Sequence, residues 1–322
     1  MKYSGIGGQA VIEGIMMRNG NDYATAVRKP DGNIEVKKDI YVSMSKKHPF
    51  LGLMFVRGIF AFADSMIIGM RSLSYSASFF EDDENSKPSK LELFFDKVFG
   101  KKAESVIMGI TTVFSILAAI GIFLLIPAFL GGLLRRVYNN YYIAALFEGA
   151  VRILIFVLYI MLISRFEEIR RTFMYHGAEH KCINCVENGL ELNVENVMKS
   201  SKEHKRCGTS FIIIVMLISI VFFMAIRVDT IALRLITRLL LIPVIAGVSF
   251  EFLSLAGRSD SRLVNILSRP GMWMQGLTVK EPTSDMVEVA ICAVESVFDW
   301  KKYLEENFKK EDQVYLKQPP LM

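Results

Sequence analysis

Apolar and polar positions divide the chain into long lipophilic runs separated by charged stretches. "SVIMGITTVFSILAAIGIFLLIPAFLGGLL" (105–134) holds no charge over more residues than the roughly 20 a bilayer requires. "YYIAALFEGAVRILIFVLYIMLIS" (141–164), "FIIIVMLISIVFFMAI" (211–226) and "TIALRLITRLLLIPVIAGVSFEFLSLAG" (230–257) complete four expected spanning helices in two pairs. Glu148 and Arg152 stand one helical turn apart in the second, so each can neutralise the other inside lipid. Pro243 and Gly247 predict a kink in the fourth.

The remaining segments carry other patterns. A helix over 49–76 stacks Arg57, Asp64 and Arg71, spaced by seven, in one stripe. Each charge facing mid-bilayer lipid costs on the order of 2.5 kcal/mol or more, which predicts an interfacial or re-entrant helix in place of a fifth span. In the polar segment 1–48, "YATAVRKPDGNIEV" alternates about Pro30-Asp31-Gly32, the chemistry of a β-hairpin. "SGIGGQAVIEG" ahead of it is dense in glycine but lacks the lysine–serine ending of a phosphate loop. A charged linker is expected over 77–104 and a polar insert over 165–210. The tail 258–322 returns to water, with Trp273 at an interface and "SDMVEVAICAVESVF" as an amphipathic helix capped by Ser284 or Asp285. The fold class that follows is mostly α. It is a polytopic helical membrane protein with helix pairs at 105–164 and 211–257, one interfacial or re-entrant helix, and a cytoplasmic cap that includes a small N-terminal β-hairpin.

Composition agrees with that division. The 322 residues are 52% hydrophobic and 22% charged, too apolar for an ordinary soluble domain and too charged for a bundle wholly within lipid. The net charge of +5 suits an anionic membrane face, and no basic block with interleaved aromatics points to nucleic acid. Four cysteines make no disulfide framework at this length, so reduced thiols are expected. No apolar core follows the basic start, so the N-terminus reads as no cleaved signal peptide. The insert holds eight basic residues against three arginines in the turns at 135–141 and 227–229. Positive charge is retained inside, which assigns insert, linker and tail to the cytoplasmic side of the plasma membrane.

The chemistry concentrates in "YHGAEH" (175–180). With the helix from 141 running on to about 181, His176 and His180 share one face a turn apart, as two imidazoles gripping one ion must. Glu179 beside them is the expected base, or a further ligand. The order His-x-x-Glu-His is that of the inverted zinc peptidases, and three of the four histidines fall within 176–204. For the third ligand His204 comes first, then Glu187, Glu195 or Glu251. A competing set of Cys182, Cys185, His204 and Cys207 makes a closed structural zinc site. Cys207 is also a candidate nucleophile if a base such as His204 lies nearby. Arg206 is a candidate for an anionic headgroup or substrate, and Thr209 or Ser210 for the cap of the next helix.

"GGQAVIEGIMMR", "YHGAEHK", "LNVENV", "HKRCGTSF" and "EVAICAVESV" together resemble the YqhQ family of bacterial membrane proteins, over nearly the whole chain and in the same order. The resemblance implies a metal-dependent enzyme. It marks Gly8, Gln9, Glu13, Gly14, Arg18, His176, Glu179, His180, Glu187, Glu195, His204, Arg206, Cys207, Gly208 and Glu251. Lys205 stands where the family pattern has proline, and Cys182 lies outside the pattern, which counts against the four-donor set. Glu13, in its glycine-rich stretch, is expected either to reach the metal or to sit on the surface.

The leading expectation is a hydrolase at the cytoplasmic membrane surface acting on a lipid-linked or peptide substrate. His176, His180 and His204 would hold zinc, and Glu179 would serve as base. The rivals are a non-catalytic scaffold fastened by a structural metal, and a transporter using Glu148, Arg152, Arg234, Arg238 and Glu251 within the bilayer.

Overall fold

The computed structural model describes residues 2–80, 103–204, 206–228, 230–256 and 261–308. Most of the expected charged linker, and Lys205, lie outside the described residues. The chain forms two compact units, one of residues 1–80, 160–218 and 230–322 and the other of 81–159 and 219–229.

The first unit opens with a four-stranded antiparallel meander, β1 (Gly7–Val11), β2 (Gly14–Asn19), β3 (Asp22–Arg28) and β4 (Ile34–Ile40), in the spatial order β1-β2-β3-β4. The expected hairpin is its second half, turning at Gly32 with φ +86. The first half forms from the glycine-rich stretch, where low strand propensity conceals a strand that closes on Arg18 and Met17 of β2 through Gly7 and Gly8. Alternation along β2 and β3 sorts side chains to two covered faces. Ile15, Met17 and Ala26 enter the main core, whereas Met16 and Tyr23 pack on Ile68.

Two short elements, α1 (Met44–Lys47) and a 3-10 turn (Pro49–Gly52), lead to α2 (Val56–Ala77). α2 lies on the Ile68 side, where Thr25 donates to Ser72 at 3.0 Å. The stripe expected on this helix is placed charge by charge. Asp64 is 1% exposed and accepts from the Tyr41 hydroxyl at 2.8 Å and from Ser43. Arg57 pairs with Glu251 at 2.7 Å, and Arg71 sits 5.7 Å from the Tyr41 ring centre.

The other face of the sheet meets α6 (Glu167–Glu187) and α11 (Ser284–Val297). α11 buries Met286, Val287, Val289, Ala290, Ala293 and Val294, so the C-terminal region completes the core instead of forming a separate aqueous tail. Thr283, not Ser284 or Asp285, occupies its cap position, because the helical backbone already includes Ser284. The short α7 (Val194–Lys199) and the final α12 (Trp300–Asn307) close over this core.

Four helical stretches are long and apolar enough to cross a membrane: Gly109–Tyr138, Tyr141–Ile163, Gly208–Ala225 and Ile236–Ala256. The first comprises α3 (Ala103–Ile120), a π-helical turn (Gly121–Leu125) and α4 (Ile126–Tyr138). The others belong to α5 (Tyr141–Ile163), α8 (Gly208–Ala225) and α9 (Ile231–Ala256, containing Pro243). Within the second unit Arg152 donates to Glu148 at 3.0 Å, Ser219 at 2.9 Å and the Phe123 carbonyl of the π turn at 3.1 Å. The expected Glu148–Arg152 pair therefore forms, with its polar atoms engaged inside the apolar bundle. Such a fastening gives both charges structural partners.

Candidate metal centre

The helix from Tyr141 does not continue to 181. It ends at Ile163, and α6 restarts at Glu167 after an extended Phe166, with Glu167 and Glu168 facing the positive end of the new helix. The histidine spacing survives this break because both imidazoles belong to α6, with ring centroids 4.5 Å apart.

Backbone carbonyls fix the state of both rings. His180 Nδ1 lies 2.6 Å from the Lys202 carbonyl and His176 Nδ1 lies 3.2 Å from the Thr278 carbonyl. A carbonyl only accepts, so each Nδ1 carries the proton and donates it, leaving both Nε2 lone pairs free. Ligating histidines are held in this way. Cys207 Sγ stands 3.3 Å from His176 Nε2, and ligand atoms of His176, His180 and Cys207 all lie within 4.8 Å of one another. Neighbouring donors around a tetrahedral zinc sit roughly 3.3–3.6 Å apart, so the three suit one ion and leave a fourth position open. The Thr209 amide donates to Cys207 Sγ at 3.4 Å, and the Thr209 hydroxyl is 3.0 Å away. The sulfur therefore takes the cap position expected of Thr209 or Ser210, because α8 already begins at Gly208.

Gly177, between the two ligand positions, explains the middle of the motif. A Cβ there would stand 1.9 Å from the Lys280 carbonyl oxygen. Its absence lets the strand-like segment after α10 (Arg262–Thr278) lie against α6, where the Lys280 amide donates to the Phe173 carbonyl at 2.9 Å. That contact delivers the Thr278 carbonyl to His176. On the other side α6 reads the end of α7 and the loop after it by their carbonyls. Lys181 donates to Met198 and Ser200, each at 2.9 Å, and Asn184 to Ser201 at 2.6 Å and Glu203 at 2.9 Å. Gln275, 1% exposed on α10, clamps the His204 backbone, accepting from its amide at 2.9 Å and donating to its carbonyl at 2.7 Å. Sequence reading missed Gln275, Thr278 and Lys202, since a backbone partner leaves no residue-type signal.

The other expected ligands lie outside the group of three. The His204 ring is 5.6 Å from the His180 ring. Arg206 Nη2 lies 3.2 Å from His204 Nε2, and a guanidinium only donates, so that lone pair is already engaged. Burial, aided by Arg206 and His180, pushes the His204 pKa below the usual imidazole value, against the pull of Glu187. A neutral ring and a 3.7 Å separation from Glu187 make this contact no salt bridge.

Glu187 is fully buried at the end of α6, where it accepts from the Ser4 amide at 2.9 Å, the Ser4 hydroxyl at 2.7 Å and Arg206. Glu195 is exposed and pairs with Lys199 at 2.6 Å. Glu251 is held by Arg57. Glu13 turns to Arg171 at 2.6 Å and the Tyr175 hydroxyl at 3.3 Å, and does not join the donors. Cys182 and Cys185 are buried in the apolar core, and burial pushes the Cys185 thiol up to about 12. The four-donor cysteine set is therefore not assembled.

Burial alone would raise the Glu187 pKa, but the Ser4 amide and hydroxyl and the Arg206 guanidinium hold it down at about 2. A depressed carboxylate stabilises the fold above its unfolded pKa near 4.5, and loses that contribution as pH falls through the folded value. The stability gap between the native chain and Glu187→Gln is thus expected to be on the order of 3 kcal/mol at about pH 6 and to close between about pH 4.5 and 2. Unfolding midpoints of the detergent-solubilised proteins across that range measure it, and a gap independent of pH would remove Glu187 from the acid response.

Glu179 is 6% exposed and lines the same cavity as the three donors. Burial raises its pKa, opposed by His176 and by the Gly8 amide. The cavity holds about 550 Å³, and its wall includes Gly8, Gln9, Arg18, Ile68, Arg206 and Phe250.

A family model described as a protein of unknown function, DUF1385, matches residues 53–300. The chain is 34% identical over 323 residues to the uncharacterized protein YqhQ of Bacillus subtilis (strain 168), covering 96% of each chain. No solved structure matches it. The chain belongs to the DUF1385 family. Neither description names a reaction or a metal.

Proposed function

We propose that this DUF1385 protein is a metal-dependent hydrolase working at the cytoplasmic face of the plasma membrane. The observation that carries the reading is the pair of Nδ1–carbonyl hydrogen bonds, which leave the Nε2 atoms of His176 and His180 unprotonated in a cluster with Cys207. Two imidazoles and a thiolate in tetrahedral reach favour zinc. Such an ion supplies a Lewis acid and water acidic enough to attack near neutral pH.

The chain's own residues provide the rest. Glu179, in the same cavity and shielded from bulk water, accepts the proton of the attacking water and returns it to the leaving group. Arg206, anchored by Glu187, keeps the loop carrying Cys207 in place and presents positive charge to the cavity wall. The surplus of basic residues in the insert, with the apolar helices to either side, supports the cytoplasmic placement.

One contact favours a second reading. Cys207 Sγ and His176 Nε2 at 3.3 Å also make a thiol–imidazole dyad, with Thr278 orienting the base as the third member. Metal content separates the two, because a bound ion engages both atoms of the dyad.

The test uses purified full-length protein, its metal quantified, incubated with a total bacterial membrane extract. Products are followed by untargeted mass spectrometry beside Glu179→Gln. The hydrolase reading expects equal metal in both proteins and product release by the native chain alone, with a loss of at least about 100-fold for the variant. Products formed equally by Glu179→Gln would overturn the base assignment, and a chain that retains no metal would overturn the reading as a whole.

A further inference from the structure

The α2 helix is inside out. Its buried residues are Gly58, Asp64, Ile68, Gly69, Ser72 and Ser76. Its outward positions are Phe62, Met66, Met70 and Leu73, exposed by 53, 49, 54 and 38%. In water this would waste large apolar side chains on solvent and bury a carboxylate, whereas lipid gives the outward stripe a partner. The preceding turn continues the pattern, with Phe50, Leu53 and Met54 exposed by 70, 50 and 62%. α2 also packs closely on α9, which contains a candidate span. A Cβ on Gly58 would stand 2.7 Å from Phe250 and 3.3 Å from the Gly247 backbone. The apolar outward face of α2 is thus continuous with a helix suited to lipid.

The inner face of this helix borders the cavity that holds the metal donors. Ser65 and Ile68 of α2 and Phe250 of α9 form part of its wall. Arg18 of β2 lines the same cavity, its guanidinium 5.8 Å from the Tyr41 ring centre. Its Nε donates to the Gly20 carbonyl at 2.9 Å, and among the described residues its two terminal nitrogens take no hydrogen-bonding partner. The cavity therefore has an apolar wall backed by lipid, a guanidinium fork with donors to spare, and a cluster suited to a cation.

We propose that the ligand of this cavity is a phosphate-bearing amphiphile drawn from the bilayer, its phosphate held by Arg18 and its apolar part lying along Ile68 and Phe250. A guanidinium grips two phosphate oxygens in parallel and leaves a third for the ion, whereas a carboxylate has only two oxygens to share. The inference names the substrate of the proposed hydrolase and rests on that reading for the ion, while the polarity of α2 stands apart from it.

The test is ligand binding to the full chain in nanodiscs of neutral lipid, with bound metal measured on the same samples. Short-chain phosphatidate is the probe, short-chain diacylglycerol the uncharged control and inorganic phosphate the competitor. Phosphatidate is expected to bind, diacylglycerol to bind at least about tenfold more weakly, and Arg18→Gln to cost about tenfold or more, with Arg18→Lys recovering part of the loss. Inorganic phosphate competing on equal terms would assign the site to a soluble ion and overturn the bilayer source. Phosphatidate binding indifferent to Arg18 would also overturn the proposal. Metal bound without phosphatidate binding sinks this inference and leaves the hydrolase standing. Arg18-dependent binding to a metal-free chain supports the inference and sinks the hydrolase.

Discussion

Replacement of either His176 or His180 by alanine is expected to strip the purified chain of its metal, lowering affinity by more than the 10–100-fold that loss of an outer-shell partner brings. Each substitution removes one of three donors, and the other candidates for a third ligand are already engaged. His204 Nε2 is engaged by Arg206, Glu187 by Ser4 and Arg206, and Glu251 by Arg57. Cys207→Ala should behave alike, whereas His204→Ala should retain metal and lose stability instead. Metal analysis after dialysis against a weak chelator gives the ranking. Full retention by His176→Ala would show that the imidazoles bind no ion, and the enzymatic reading would go with it.

Gly177→Ala is expected to do nearly as much without touching a donor. The added methyl would meet the Lys280 carbonyl oxygen at 1.9 Å, far inside van der Waals contact, so α6 and the segment behind it must separate. Separation withdraws the Thr278 carbonyl from His176 Nδ1, and the ring is then free to rotate or to change tautomer. Metal affinity should fall 10–100-fold, with overpacking adding about 1–3 kcal/mol of destabilisation. A chelator titration beside a thermal unfolding curve measures both. Unchanged affinity in a destabilised variant would mean that the carbonyl contact does not tune the ligand. Gly14→Ala, whose Cβ would meet the Ala26 carbonyl oxygen at 2.3 Å within the sheet, serves as the control for packing alone.

Much of this was legible beforehand, for physical reasons that differ by region. Lipid requires unbroken apolar length, so the four long helices announce themselves, and Arg152 could be paired with Glu148 from spacing alone. The His176–His180 pair needed only a local helix, and survived the error of extending α5 through Ser164. What stayed hidden depends on contacts far apart in sequence. β1 was masked by its glycines. Cys207 was read as a nucleophile or as part of a cysteine set, because its approach to His176 depends on the packing of α8 and α10 around α6. His204 looked like the natural third ligand by residue type, and only the position of Arg206 shows its lone pair to be spoken for.

The carbonyl that sets His176 belongs to Thr278, 102 residues further along the chain. During synthesis both imidazoles and Cys207 leave the ribosome well before that carbonyl exists as a partner. Ion capture in the final geometry would therefore wait until α10 has docked, and a bound ion would act as a late seal on tertiary assembly instead of a nucleus for it.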